Sequence, residues 1–243
     1  MTLQKLLSYV RKACEDRNMI TDGDRIAVGL SGGKDSLALL TALATYRRFS
    51  PAKFELTAVT VDLGFGADYG ALKTYCDTLN VPFHLIKTAI GQIIFEERKE
   101  KNPCSLCSKM RRGALNTFIT KEGYHKLALG HHADDLVETL FLSLFYEGRL
   151  STFAPVSFMD RSNVTLIRPL VYAYEKDIAA FAKDLPVVFN PCPVNHETQR
   201  EYMKNLLKSV CKDIPIAKDR ILSAITHPER NNLWKVIEKI ENE

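Results

Sequence analysis

The run Arg25–Leu30 (RIAVGL) is a short apolar stretch that breaks into Ser31–Ser36 (SGGKDS) and resumes at once with leucines and alanines at helical spacing through Arg48. Strand, glycine-rich turn and helix in that order commit the chain to a βα unit. The unit repeats. Phe54–Asp62 reads as a strand, Tyr69–Leu79 as a helix and Phe83–Lys87 as a third strand; a helix from about Cys107 to Lys121, a strand over Lys126–Leu129 and a helix over Asp134–Tyr146 follow. Strands alternating with helices of this length predict an α/β fold built on a doubly wound, Rossmann-like parallel sheet.

Beyond Glu147 the texture changes. A loop with Gly148 and Pro155 leads to a short strand over Val164–Ile167, a helix from about Glu175 and a proline-marked strand over Val187–Phe189; from about Glu197 the chain is helical and charged. The expected division is an α/β domain over 1–189 and a C-terminal helical region over 190–243. With 46% hydrophobic and 26% charged residues in 243, one sizeable core is expected. The N-terminal apolar stretch is too short and too interrupted by charge for a signal peptide, and no run approaches the roughly 20 apolar residues of a membrane span, so a cytoplasmic protein with no membrane partner is expected. Six cysteines are too few for a disulfide scaffold in a chain this long. A net charge of +4 permits a nucleic-acid partner without requiring one.

Four constellations carry chemistry. In Ser31–Ser36, Gly32 and Gly33 let backbone N–H groups approach an anion, Lys34 adds a point charge and Ser36 opens a helix whose positive end faces the ligand. Asp35 follows the lysine where a Walker A loop needs Ser or Thr, and an acid there suits Mg²⁺ bridging phosphates. Gly130, His131, His132, Ala133, Asp134 and Asp135 come directly after the fourth strand, at the carboxyl edge where open α/β sheets bind ligands. Asp134 and Asp135 could cap the following helix or hold Mg²⁺, and His131 and His132 could act on a substrate or satisfy a backbone carbonyl. Cys104 and Cys107, with Cys192 between two prolines, admit three readings from spacing: an iron–sulfur cluster with one iron open, a closed zinc site completed by His196, or a Cys104–Cys107 redox pair. Finally, Lys204, Lys208 and Lys212, joined by Arg200, share one helix face that could follow RNA phosphates or simply meet solvent.

The SGGKDS loop after the first strand resembles the hallmark of the PP-loop ATP pyrophosphatase family, whose members adenylate a carbonyl oxygen and release pyrophosphate. The GHHADD string at 130–135 resembles an element of its tRNA-modifying members. Cys104–Gly113 (CSLCSKMRRG), with FLSLFYEGRL at 141–150 and IRPL at 167–170, closely resembles the TtcA-like tRNA 2-thiocytidine synthetases and, more distantly, the TtuA group, over about Arg25 to Pro193. That resemblance implies an adenine nucleotide alpha hydrolase type of fold with a C-terminal helical appendage. It implies ATP, Mg²⁺ and a [4Fe-4S] cluster as cofactors, the cluster held by Cys104, Cys107 and Cys192. ATP would lie on Ser31, Gly32, Gly33, Lys34, Asp35, Ser36, Asp62 and Gly130, with Lys34, Asp35, Arg111, Asp134 and Asp135 in catalytic roles and Arg112 beside them. The implied partners are tRNA and a sulfur donor, either a cysteine desulfurase or free sulfide, and a homodimer is allowed. One departure stands out: the later cysteine of these enzymes sits in a PCxLC segment, whereas here Pro191-Cys192-Pro193-Val194-Asn195 has no second thiol. The rival expectations are another PP-loop adenylating ligase, lysidine-forming or amide-forming, with a structural zinc site or no metal, and a nucleotide-binding regulatory module.

Overall fold

The computed structural model describes residues 1–100, 103–188, 191–192 and 198–233. Its strands are β1 (Asp24–Gly29), β2 (Phe54–Asp62), β3 (Phe83–Lys87), β4 (Lys126–Ala128), β5 (Val156–Met159) and β6 (Val164–Ile167). They form one sheet in the order β3-β2-β1-β4-β6-β5, parallel throughout except for the antiparallel edge strand β5. The helices are α1 (Leu3–Asp16), α2 (Lys34–Tyr46), α3 (Gly70–Thr78), α4 (Ile90–Gln92), which runs on into a π-turn over Ile93–Glu97, α5 (Pro103–Lys121), α6 (Ala133–Glu147), α7 (Glu175–Phe181), α8 (Gln199–Asp213) and α9 (Ala217–Thr226).

Alternation along β1 shows why both faces are covered. Ile26 and Val28 bury against Leu37, Leu40 and Leu43 of α2, while Ala27 between them buries on the opposite face with Ile119 of α5. Helix α2 is apolar nearly all round, and it is buried from Ser36 to Ala44 because α1 and α7 cover the side turned from the sheet. A third cluster, Val61, Leu63, Ile90 and Ile94, receives Leu106, Cys107 and Met110, so the start of α5 is fixed against the end of β2.

Strands β1 and β4 are neighbours whose onward connections diverge, β1 leading to β2 on one side and β4, by way of α6, to the antiparallel pair β5 and β6 on the other. The crevice above such a pair is where open α/β sheets take ligands. Both glycine-bearing loops open there.

Three local readings change. Helix α5 begins at Pro103 rather than near Cys107, the fixed φ of proline suiting a first helical position, so Cys104 and Cys107 both lie on its first turns. Strand β5 escaped notice because it is four residues long and half exposed, with Phe158 turned to solvent. Val187 and Val188 are not in the sheet; the Val188 N–H donates to the Gly32 carbonyl at 3.0 Å, and Phe189 is outside the described residues. The boundary expected after residue 189 also falls outside them. Helices α8 and α9 pack on α6, with Met203 and Leu207 buried. No helix among the described residues is long and apolar enough to cross a membrane.

Candidate active site

The loop after β1 is pinned from beneath, the Leu30 N–H donating to the Val59 carbonyl at 2.9 Å and the Thr60 hydroxyl to the Leu30 carbonyl at 2.7 Å. Gly32 takes φ +84°, a left-handed conformation that disfavours any side chain, and a Cβ there would stand 3.1 Å from that of Val188. The Ser31 hydroxyl donates to Ser36 at 3.1 Å, and the Ser36 hydroxyl donates to the Gly33 carbonyl at 2.9 Å. Gly33 caps α2 without a side-chain acceptor, which leaves the first amides of that helix for an anion.

The loop after β4 forms the facing wall. Gly130 lies so close to α2 that a Cβ would meet the carbonyl carbon and oxygen of Asp35 at 3.1 Å and the Ser36 nitrogen at 3.2 Å. These are backbone atoms and cannot swing aside. A Gly130→Ala chain is therefore expected to lose about 1–3 kcal/mol of stability, and ATP affinity with it, as checked by thermal unfolding and ATP titration; unchanged values for both would show that the two loops part easily.

After Gly130 the chain enters α6 through a reciprocal cap: the His132 N–H donates to Asp135 at 2.9 Å and the Asp135 N–H to His132 Nδ1 at 3.4 Å. The two adjacent aspartates separate. Asp135 lines the cleft and pairs with Arg200 at 3.6 Å. Asp134 is buried, accepts the Glu175 N–H at 2.6 Å and pairs with Lys218, and it is not among the lining residues.

Between the loops lies a cleft of about 350 Å³, lined by Ser31, Asp35, Ser36, Gly130, His131 and Asp135 on the sheet edge and by Ser108, Arg111 and Arg112 from α5. The His131 ring packs at a 43° tilt against that of Phe153, centroids 5.1 Å apart, and the Arg168 guanidinium covers the same ring at 4.8 Å. Burial pushes the His131 imidazole down to about 4, Asp135 opposing and Arg168 and Arg200 assisting, so it is neutral at pH 7. Its Nδ1 is buried with no partner among the described residues. A bare Nδ1 costs less there than a stranded N–H, which leaves the proton on Nε2. Neither Phe153 nor Arg168 was singled out from sequence, although IRPL contains the arginine.

Lys34 and Asp62 do not line the cleft. The Lys34 ammonium sits 3.0 Å from the Asp35 carboxylate and 3.2 Å from Glu175. Asp62 accepts the Gly64 N–H at 2.9 Å and the Tyr69 hydroxyl at 3.5 Å, beside a smaller pocket that Ser31, Tyr69, Arg111 and Val188 share. Of the basic stripe on α8, Arg200 and Lys204 are engaged by Glu138 and Glu175, Arg200 staying partly open to solvent, and Lys208 and Lys212 are exposed.

The three candidate cysteines are free thiols; Cys104 is exposed, Cys107 and Cys192 half-buried. Burial raises the Cys107 thiol; Arg111 pulls it down, and Cys192 and Cys104 push it up. That both Cys104 and Cys192 act on Cys107 places the three sulfurs in one neighbourhood, with the Arg111 cation offsetting part of the burial. No three metal-ligating side chains among the described residues are gathered as tightly as a single ion requires, and His196 lies outside them. Three sulfur donors, with no nitrogen or oxygen ligand among them, are the soft set that suits an iron–sulfur group.

The sequence profile of the PP-loop domain matches residues 3–213. The tRNA-cytidine(32) 2-sulfurtransferase of Pelobacter propionicus is 42% identical over 233 residues, covering 93% of this chain and 87% of that one. Its namesake from Geobacter sulfurreducens is 43% identical over 228 residues, 91% and 89% of the two chains. Among solved structures, the U34-tRNA thiolase NcsA from Methanococcus maripaludis with its [4Fe-4S] cluster superposes with a TM-score of 0.76 at 25% identity, covering 94% of this chain and 79% of that one.

Proposed function

The chain belongs to the PP-loop family, among its tRNA-cytidine(32) 2-sulfurtransferases, and from that premise we propose that it uses ATP to replace the C2 oxygen of cytidine 32 in tRNA with sulfur. The observation that carries the reading is that the loops after β1 and β4 meet two arginines of α5 at one crevice, while the first turns of the same helix carry Cys104 and Cys107, the latter influenced by Cys192 as well.

The chemistry has two steps. The C2 oxygen attacks the α-phosphorus of ATP, breaking its bond to the bridging oxygen and releasing pyrophosphate. Sulfur at the sulfide level then bonds to C2, and AMP departs with the old oxygen, so no electrons are exchanged. The uncapped amides of α2 and the Lys34 ammonium hold the triphosphate, and Lys34 meets the charge that develops on the leaving pyrophosphate. Asp35 and Asp135, on facing walls, would hold Mg²⁺, which neutralises phosphate charge. Arg111 and Arg112 would neutralise the adenylate, and a neutral His131 with its proton on Nε2 would donate to a base oxygen. Cys104, Cys107 and Cys192 would hold the [4Fe-4S] cluster, whose chemistry there is to present sulfur at an iron with no protein ligand. A base inside an anticodon stem-loop has to leave its stack to enter a cleft of this size. Free sulfide supplies the sulfur directly, whereas a cysteine desulfurase delivers it as a persulfide that a two-electron thiol reductant must first bring to the sulfide level; the cytoplasm is the compartment we assign to the reaction.

The test is anaerobic reconstitution followed by metal analysis and incubation with ATP and unmodified tRNA. About four iron and four sulfide per chain, with 2-thiocytidine, AMP and pyrophosphate as products, is the expected result. AMP formed on another substrate without sulfur incorporation would instead make it an adenylating ligase, and ATP bound without pyrophosphate release in the presence of tRNA would leave a binding module.

A further inference from the structure

Resting on the reading of Lys34 as the pyrophosphate cation, we propose that Glu175 and Lys204 form a relay that positions the Lys34 ammonium and sets how firmly it is held back from the nucleotide. Glu175 opens α7, and its Oε1 lies 3.2 Å from the Lys34 ammonium and 2.8 Å from that of Lys204 on α8. The backbone of Glu175 is also fixed, because its N–H donates to Asp134 at 2.6 Å and Asp134 pairs with Lys218 of α9. Both C-terminal helices thus bear on the phosphate loop through one residue.

The three side chains are 33%, 24% and 30% exposed for Lys34, Glu175 and Lys204, well short of open surface, so solvent screens the relay only in part. A free lysine loses rotamer freedom when it binds. Asp35, at 3.0 Å, and Glu175, at 3.2 Å, together remove much of that freedom beforehand, which favours the reactive geometry. The same carboxylate competes with phosphate for the ammonium. Lys204 moderates the competition by drawing on the same oxygen, so its removal should leave Glu175 gripping Lys34 alone. Opposite effects on nucleotide binding follow from the two ends of one relay, which a purely structural role would not produce.

Two measurements on the whole chain decide the point: equilibrium binding of ATP without tRNA, and kcat and KM for pyrophosphate release with tRNA. Glu175→Gln is expected to bind ATP as tightly as the parent or tighter, while kcat falls on the order of tenfold to a hundredfold. Lys204→Met is expected to weaken ATP binding severalfold, and the double variant to behave as Glu175→Gln does, because Lys204 acts through Glu175. Additive effects, the same direction of change in ATP affinity for both single variants, or a kcat that falls only with the folded fraction would overturn the relay. A parent protein that releases no pyrophosphate would sink the thiolation reading, while the ATP affinities would still decide the relay. If Glu175→Gln does not fold, a Lys204→Met chain with parental ATP affinity is enough to overturn it.

Discussion

A Cys107→Ser chain, prepared without oxygen, should still release pyrophosphate with ATP and tRNA but should form 2-thiocytidine at least about a thousandfold more slowly and lose its iron, because an alcohol at this site is a poor substitute for a soft thiolate. Cys107 is the central sulfur of the three: it feels both Cys104 and Cys192, it has Arg111 beside it, and Leu106 and Met110 hold its turn of α5 against Leu63, Ile90 and Ile94. The exchange changes one atom and leaves that packing in place, so stability should shift by about 1 kcal/mol or less. Cys14 is the matching control. It is buried in the main core, burial pushes its thiol up to about 12, and Cys14→Ser should leave iron and thiolation untouched. Parental thiolation by an iron-free Cys107→Ser protein would transfer the sulfur chemistry to another carrier.

The βα repeat was legible because each unit carries its own local signal. The short apolar run at Arg25–Leu30, the strand-like Phe54–Asp62 and the helical spacing after Ser36 give β1, β2 and α2 within a residue or two. The facing of the two loops was legible too, since both follow strands and every strand end in a doubly wound sheet opens on the same edge. What stayed hidden depends on direction and distance. Asp134 and Asp135 are adjacent in sequence, yet one residue of helix turns a side chain by about 100°, so one reaches the cleft and the other reaches Lys218 and Glu175. The same limit explains α8: spacing puts Arg200, Lys204, Lys208 and Lys212 on one face, but the packing of α8 on α6 turns the first two toward carboxylates. Glu175 gave no signal at all, because its partners come from α2 and α8, far away along the chain.

Lys34→Met should lower pyrophosphate release by about a hundredfold or more, the usual cost of losing one fixed charge aimed at a developing anion. Methionine keeps most of the apolar stem and removes only the ammonium, so the effect isolates charge. Burial pulls the Lys34 ammonium down, but Asp35 and Glu175 outweigh it and hold its pKa above 10.5, so it is fully charged at pH 7. Its loss should also be visible in stability, with a definite pH dependence. Burial alone would raise Glu175; Lys204 and Lys34 instead hold it down to about 2, against an ordinary 4.5. A carboxylate depressed in this way stabilises the fold above pH 4.5, and that contribution, about 3 kcal/mol for the whole network, disappears as pH falls through 2. Lys34→Met removes one of the two cations responsible, so the variant should be less stable than the parent at pH 7, and the gap should narrow as pH drops below 4.5. Denaturant unfolding at pH 7 and pH 3, alongside the pyrophosphate assay, reads both effects. A variant with parental turnover and an equal stability gap at the two pH values would show that Lys34 neither serves the leaving pyrophosphate nor sustains the charge on Glu175.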